Sequence, residues 1–249
     1  MASGATPASP EVPEPGNSVG RIFGVFFSPK PTFESIARRP TWLLPILLLC
    51  VVELGLVAVY GHRAGWRGLI EKQMSSSSQF QELPAAQKER QIEIATKVAP
   101  YFAYVEVVVG PFVAVLLFAG IFWLIFNMMI GAKFGFKTSL GIVAYGLMPG
   151  ILLSLLGILV LFLKDPSTVD LQHLVASNVG AFLSDSSPKW LIAALRAVDL
   201  FLFWEMILLA IGYSAAAPKK ISFAKAFAWI LSLWFLVVLI IAGVTAAFS

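Results

Sequence analysis

Five stretches of the chain, residues 41–60, 105–130, 140–163, 190–213 and 223–248, are almost wholly apolar. Each is near the ~20 residues a helix needs to cross a hydrocarbon core of ~30 Å. In lipid every backbone N–H and C=O must find its partner inside the protein, so continuous apolar runs of this length read as helices. The expected fold class is all-α: a polytopic membrane protein, a five-transmembrane-helix bundle with short interfacial helices. Composition agrees, since 58% of the 249 residues are hydrophobic and 13% charged, against about 45–50% and about 25% in soluble domains. That excludes an ordinary soluble enzyme. It also excludes a disordered chain, which would be poor in apolar residues and rich in charge.

Residues 1–20 hold Pro7, Pro10, Pro13 and Pro15 without an apolar core and read as a disordered cytoplasmic tail rather than a signal peptide. Within them Gly16-Asn17-Ser18-Val19-Gly20 matches a hydrolase pattern, but that pattern needs a strand–turn–helix setting not expected here. Residues 21–249 form the membrane domain. Trp42, Tyr60, Tyr101, Trp190 and Tyr213 lie near span ends, where amphipathic rings favour the head-group layer. The net charge of +4 reports orientation, with no basic stretch dense enough for nucleic acid. Arg21, Lys30, Arg38 and Arg39 precede the first span. Lys133 and Lys137 follow the second, and Lys219, Lys220 and Lys225 follow the fourth. The N-terminus is therefore expected in the cytoplasm and the C-terminus outside, although the loop 61–100 holds six Lys and Arg of its own.

Three pieces are expected to lie on the membrane. In the stretch 21–27, Ile22, Phe23, Phe26 and Phe27 form one face, ended by Pro29 and Pro31. A short helix over 31–39 carries Phe33 and Ile36 on one side. Ser167 could cap a third helix, with Leu171, Leu174, Val175, Val179 and Phe182 sharing a face.

The fourth span carries Arg196, Asp199 and Glu205, costing about 2.5–3.5 kcal/mol each at a helix centre. Arg196 and Asp199, three apart on one helix, are expected to pair. Glu53 in the first span lies at a similar depth, so a Glu53–Arg196–Asp199 cluster is expected. It would be either a polar clasp or a relay for protons or ions. Glu205 points elsewhere, with Asn127 and Tyr145 as candidate donors, and Glu106 is expected at the interface. In the third span Gly146, Gly150, Ser154 and Gly157 share a small-residue face suited to close helix packing, and Pro149 should bend the helix. No catalytic residue, cofactor or metal site is expected. His62 and His173 lie apart, Cys50 is the one cysteine, and no metal-binding or phosphate-binding motif occurs.

The stretch Phe27-Ser28-Pro29-Lys30-Pro31-Thr32-Phe33-Glu34-Ser35-Ile36-Ala37-Arg38-Arg39-Pro40, running into the first apolar helix, resembles the bacterial branch of the Yip family, the Ypt/Rab-interacting membrane proteins. Ala144-Tyr145-Gly146-Leu147-Met148-Pro149 in the third span resembles it too. The resemblance implies five helices, a cytoplasmic N-terminus and residence in the bacterial plasma membrane. Tyr145 and Pro149 match the family's third-span motif. Eukaryotic members are similar to adaptors that bind small GTPases, but the short tail here lacks recruitment motifs, so no GTPase partner is implied. The partners expected are the lipid bilayer and other membrane proteins or the chain itself. The expected function is a non-enzymatic scaffold acting through helix–helix contacts. The alternative is a small transporter or channel component using Glu53, Arg196, Asp199 and Glu205.

Overall fold

A computed structural model describes residues 17–75, 78–165, 174–184 and 187–247. At the front stand two amphipathic helices, α1 (Ser18–Phe27) and α2 (Pro29–Arg38). Asn17 starts α1 by accepting the Gly20 N–H at 2.8 Å. Pro29 opens α2 at its first position, where its fixed φ suits the helix and its missing N–H costs nothing. Thus α1 begins within the segment expected to be a tail, whose residues 1–16 lie outside the described ones, and α2 starts at Pro29, two residues before the expected start at Pro31. The expected apolar face of α1 also divides. Arg21 and Val25, one turn apart, turn inward, while Phe23 is 62% and Phe27 83% exposed.

Next come α3 (Leu43–Arg63), α4 (Arg67–Ser75), α5 (Ser78–Gln81) and α6 (Ala85–Leu124). The segment 61–100 is therefore largely helical. Arg67 of α4 bridges Glu71 at 2.6 Å and Glu89 of α6 at 2.9 Å. The 40-residue α6 runs through Pro100 and Pro111 unbroken and ends in a π-helical turn, Ile125–Met129. The third apolar block is α7 (Phe136–Gly146) and α8 (Pro149–Leu163). The bend expected at Pro149 is a break just before it, with Pro149 as the first residue of α8.

The fourth expected span is also broken. α9 (Lys189–Arg196) stops, and α10 (Leu200–Ala216) restarts four residues later. Ser167 and Leu171 of the helix expected between the third and fourth spans lie outside the described residues, and residues 174–178 are not helical. Beyond the residues outside the described set, only Val179–Phe182 forms a short 3-10 turn. Asn178 and Asp199 make an isolated antiparallel bridge instead. Last is α11 (Phe223–Ala247).

Among the described residues four stretches are long and apolar enough to cross a membrane: Leu43–Arg63, Ala85–Met129, Phe136–Leu163 and Phe223–Ala247. With 17 residues, α10 is shorter than these. The core gathers where α2, α7 and α10 meet, around the fully buried Phe33, Ile36, Ile142, Tyr145 and Tyr213. Two glycines make that approach possible. A Cβ on Gly146 would stand 2.5 Å from Cδ2 of Leu209, and one on Gly212 2.5 Å from Cγ2 of Ile142. Each helix of the α7–α10 pair thus receives a branched side chain of the other where it has no side chain itself. Tyr213 and Tyr60, near the ends of their helices, are buried against other side chains.

Candidate functional site

Three carboxylates from three helices surround one cavity. Glu53 of α3, Glu106 of α6 and Glu205 of α10 line a space of about 310 Å³ together with Leu147 and Gly150. None of its lining residues is basic. Glu106, expected at the interface, joins the cavity although it is exposed on α6.

Arg196 and Asp199 do not line this cavity. The expected pairing of the two on one helix face fails because the helix stops between them. Asp199 instead caps α10: Oδ1 accepts the N–H groups of Phe201 at 2.8 Å and Leu202 at 3.1 Å. Its Oδ2 accepts the hydroxyl of Ser177. The backbone of residues 177–179 completes the arrangement, with the Leu200 N–H donating to Ser177 O and the Val179 N–H to Val198 O. Arg196 is exposed in the last turn of α9, its stem packed where a Cβ on Gly180 would stand 2.7 Å away. A carboxylate that would be costly in mid-membrane is thus satisfied as a cap.

Neither donor expected for Glu205 serves it. Asn127 exchanges two hydrogen bonds with the Phe134 backbone and pins the turn after α6. Tyr145 shares a hydrogen bond with Thr41 at 3.2 Å and donates to Ser18 O at 3.3 Å. Glu205 lies against Gly150, where a Cβ would stand 3.3 Å from Oε1. Glu205 and Leu147 also line a second, apolar cavity of about 270 Å³, shared with Phe118, Phe122 and Trp234. The indole N–H of Trp234 is buried there without a hydrogen-bond partner among the described residues.

The remaining motif positions hold the bundle together. Gly146 receives Leu209, Gly157 stands close to Leu56 and Leu174, and Ser154 is half-buried on the same helix. Two polar knots escaped the sequence reading. Arg21, 4% exposed, donates to Arg39 O at 2.8 Å, Thr41 Oγ1 at 3.0 Å, Ser35 O at 3.2 Å and Ser35 Oγ at 2.9 Å. Ser139 joins Ala119 O at 2.8 Å and the Tyr213 hydroxyl at 2.7 Å, tying α6, α7 and α10. The signal for Arg21 was in plain view: it is the one charge among the apolar residues of α1, one turn from Val25. No local signal marks Ser139, whose partners are 20 and 74 residues away.

Chemically, the carboxylate cavity can accept hydrogen bonds, a proton or a cation. Among the described residues no three His, Cys, Asp or Glu side chains stand close enough to hold a metal ion. A family model described as the Yip1 domain matches residues 23–244. Comparison with curated proteins and with solved structures gives no match.

Proposed function

Since the chain belongs to the Yip1 domain family and is an integral membrane protein, we propose that it is a non-enzymatic scaffold or organiser acting through helix–helix contacts in the bilayer. The observation that carries this reading is how the molecule uses its motif residues. Tyr145, Gly146, Pro149, Gly150 and Gly157 are consumed inside the bundle, whereas the outward faces of α6 and α11 stay uncovered. Val105, Val109 and Val113 on the first and Leu236, Ile240 and Val244 on the second are 49–59% or 52–54% exposed. In this reading α9 and α10 make a broken fifth crossing. The N-terminus lies in the cytoplasm, the C-terminus lies outside, and the host membrane is a bacterial plasma membrane. The partner is the bilayer with another membrane protein or a second copy, not a small GTPase.

The test places a photoactivatable label at Leu236→Cys in a Cys50→Ala background and crosslinks in native membranes. A discrete protein adduct, recovered at fixed stoichiometry by mild-detergent purification, is expected. Lipid adducts alone, on a chain that purifies with nothing attached, would overturn the scaffold.

A second reading, a small transporter or channel component, is favoured by one feature, the cavity shared by Glu53, Glu106 and Glu205. Arg196 and Asp199 have no part in it. Ion or proton flux in proteoliposomes that is lost in a folded Glu205→Gln protein would support this reading over the first.

A further inference from the structure

At the end of α10 the chain reverses into α11 through a tight turn, with the Lys220 and Ile221 N–H groups both donating to Ala217 O. Helix α2 lies across this end. It packs inward through Phe33 and Ile36, both fully buried, so its other side stands away from the bundle. The space left between is the most voluminous of the cavities described, about 860 Å³. Its α2 side is Lys30, Glu34 and Arg38, spaced one turn apart. Its α10 side is Ile207, Ile211 and Ser214, and Ser222 and Phe223 close it at the start of α11.

Two properties of this space point to one kind of occupant. The first is charge: Lys30 and Arg38 are exposed, and neither makes an ion pair among the described residues. Lys219, Lys220 and Lys225 stand on the turn and first helical residues beside Pro218 and Ser222. Glu34 is the single acid among the lining groups. The second is depth. Ile207 is 40% exposed and lies two turns inside α10 from the basic end, so the apolar flank continues from the rim into the bundle. A free anion would use the rim and leave that flank bare. An amphiphile with an anionic head and an apolar tail uses both.

We propose that this cavity binds an anionic glycerophospholipid, its phosphate between Lys30 and Arg38 and an acyl chain along Ile207 and Ile211. The level suits it if α11, one of the stretches long and apolar enough to cross a membrane, does cross, because its basic first residues then stand at a bilayer surface. Basic side chains at that level attract anionic lipid. This inference does not depend on the scaffold reading.

The test uses the full chain, delipidated in mild detergent, and measures binding of radiolabelled phosphatidylglycerol. Saturable binding near one lipid per chain is expected, with phosphatidylcholine held far more weakly. Lys30→Gln with Arg38→Gln should weaken it about thirtyfold, and Glu34→Gln should tighten it about fivefold. Ile211→Trp, which fills the tail path and leaves the cations in place, should also weaken it. Equal binding of the two lipids would overturn the proposal, as would unchanged affinity in these variants. Displacement of the lipid by inorganic phosphate alone at millimolar concentration would reduce the site to one for free anions.

Discussion

Arg21 shows how a charge is carried inside this molecule without a countercharge. Its guanidinium meets two backbone carbonyls and two hydroxyls, and these come from α2 and the segment leading into α3. Hydrogen bonds from a charged group are stronger than neutral ones, and orphaned carbonyls add their own desolvation cost. Arg21→Met should therefore lower stability by about 3 kcal/mol, read as a fall in the unfolding midpoint in detergent. Tyr145→Phe, which removes only a hydroxyl from the neighbouring network, should cost about 1 kcal/mol. Asp199 allows a sharper comparison. As a cap it is replaceable by Asn, so Asp199→Asn should change stability little, whereas Asp199→Ala should cost about 1 kcal/mol. Equal losses in the two variants would mean that the negative charge, not the cap, is what matters. The sequence announced part of this, because an Asp directly before an apolar run is a helix-start signal. The apolar residues on both sides hid it, and Ser177, 22 residues upstream, could not be foreseen as its partner.

At the scale of elements, the decisive contact is the α7–α10 pair. Gly146→Ala forces a Cβ to within 2.5 Å of Leu209, the reach of a movable side-chain end, so the expected loss is about 1–2 kcal/mol. Adding Leu209→Ala should recover part of that loss, and the coupling in a double-mutant cycle measures the contact. The break before Pro149 puts Gly146 on α7 and Gly157 on α8 against Leu56, so the expected single face is divided; the small residue at Gly146 was legible. Its partner was not, because nothing along the chain says which helix supplies Leu209. Helix limits were legible only in part: Pro149 marked an interruption, read as a bend within one helix, where the chain starts α8. They were not legible where the backbone tolerates a breaker: Pro100 and Pro111 each remove one hydrogen bond, yet α6 continues past both. Residues 61–100 looked like a loop because their charges interleave. Those charges are the exposed faces of α4 and α6, bridged by Arg67 and Glu89.

For the whole molecule, the apolar blocks gave membrane residence and an all-helical fold, while the number of crossings depends on how α9 and α10 are used. Cys50 is buried and the sole cysteine, so a Cys50→Ala background offers clean single-cysteine topology mapping. Probes at Ser18→Cys and Ala247→Cys should react from opposite sides of sealed vesicles if α9 and α10 cross together. Reaction from one side would mean an even number of crossings. The carboxylate cavity was only half visible in advance. Glu53 and Glu205 stood out as charges in apolar runs, but Glu106 was discounted because it lies near the start of a block.

The two glycine sockets also determine how this molecule could come apart. A side chain seated in a hole on each side makes α7 and α10 a keyed joint, which cannot slide by a residue without collision. No such key holds α11, which buries only Ala226, Ile230 and Val238 along its 25 residues. It is a shutter laid against a locked frame, and behind it lie Leu209 and the carboxylate of Glu205.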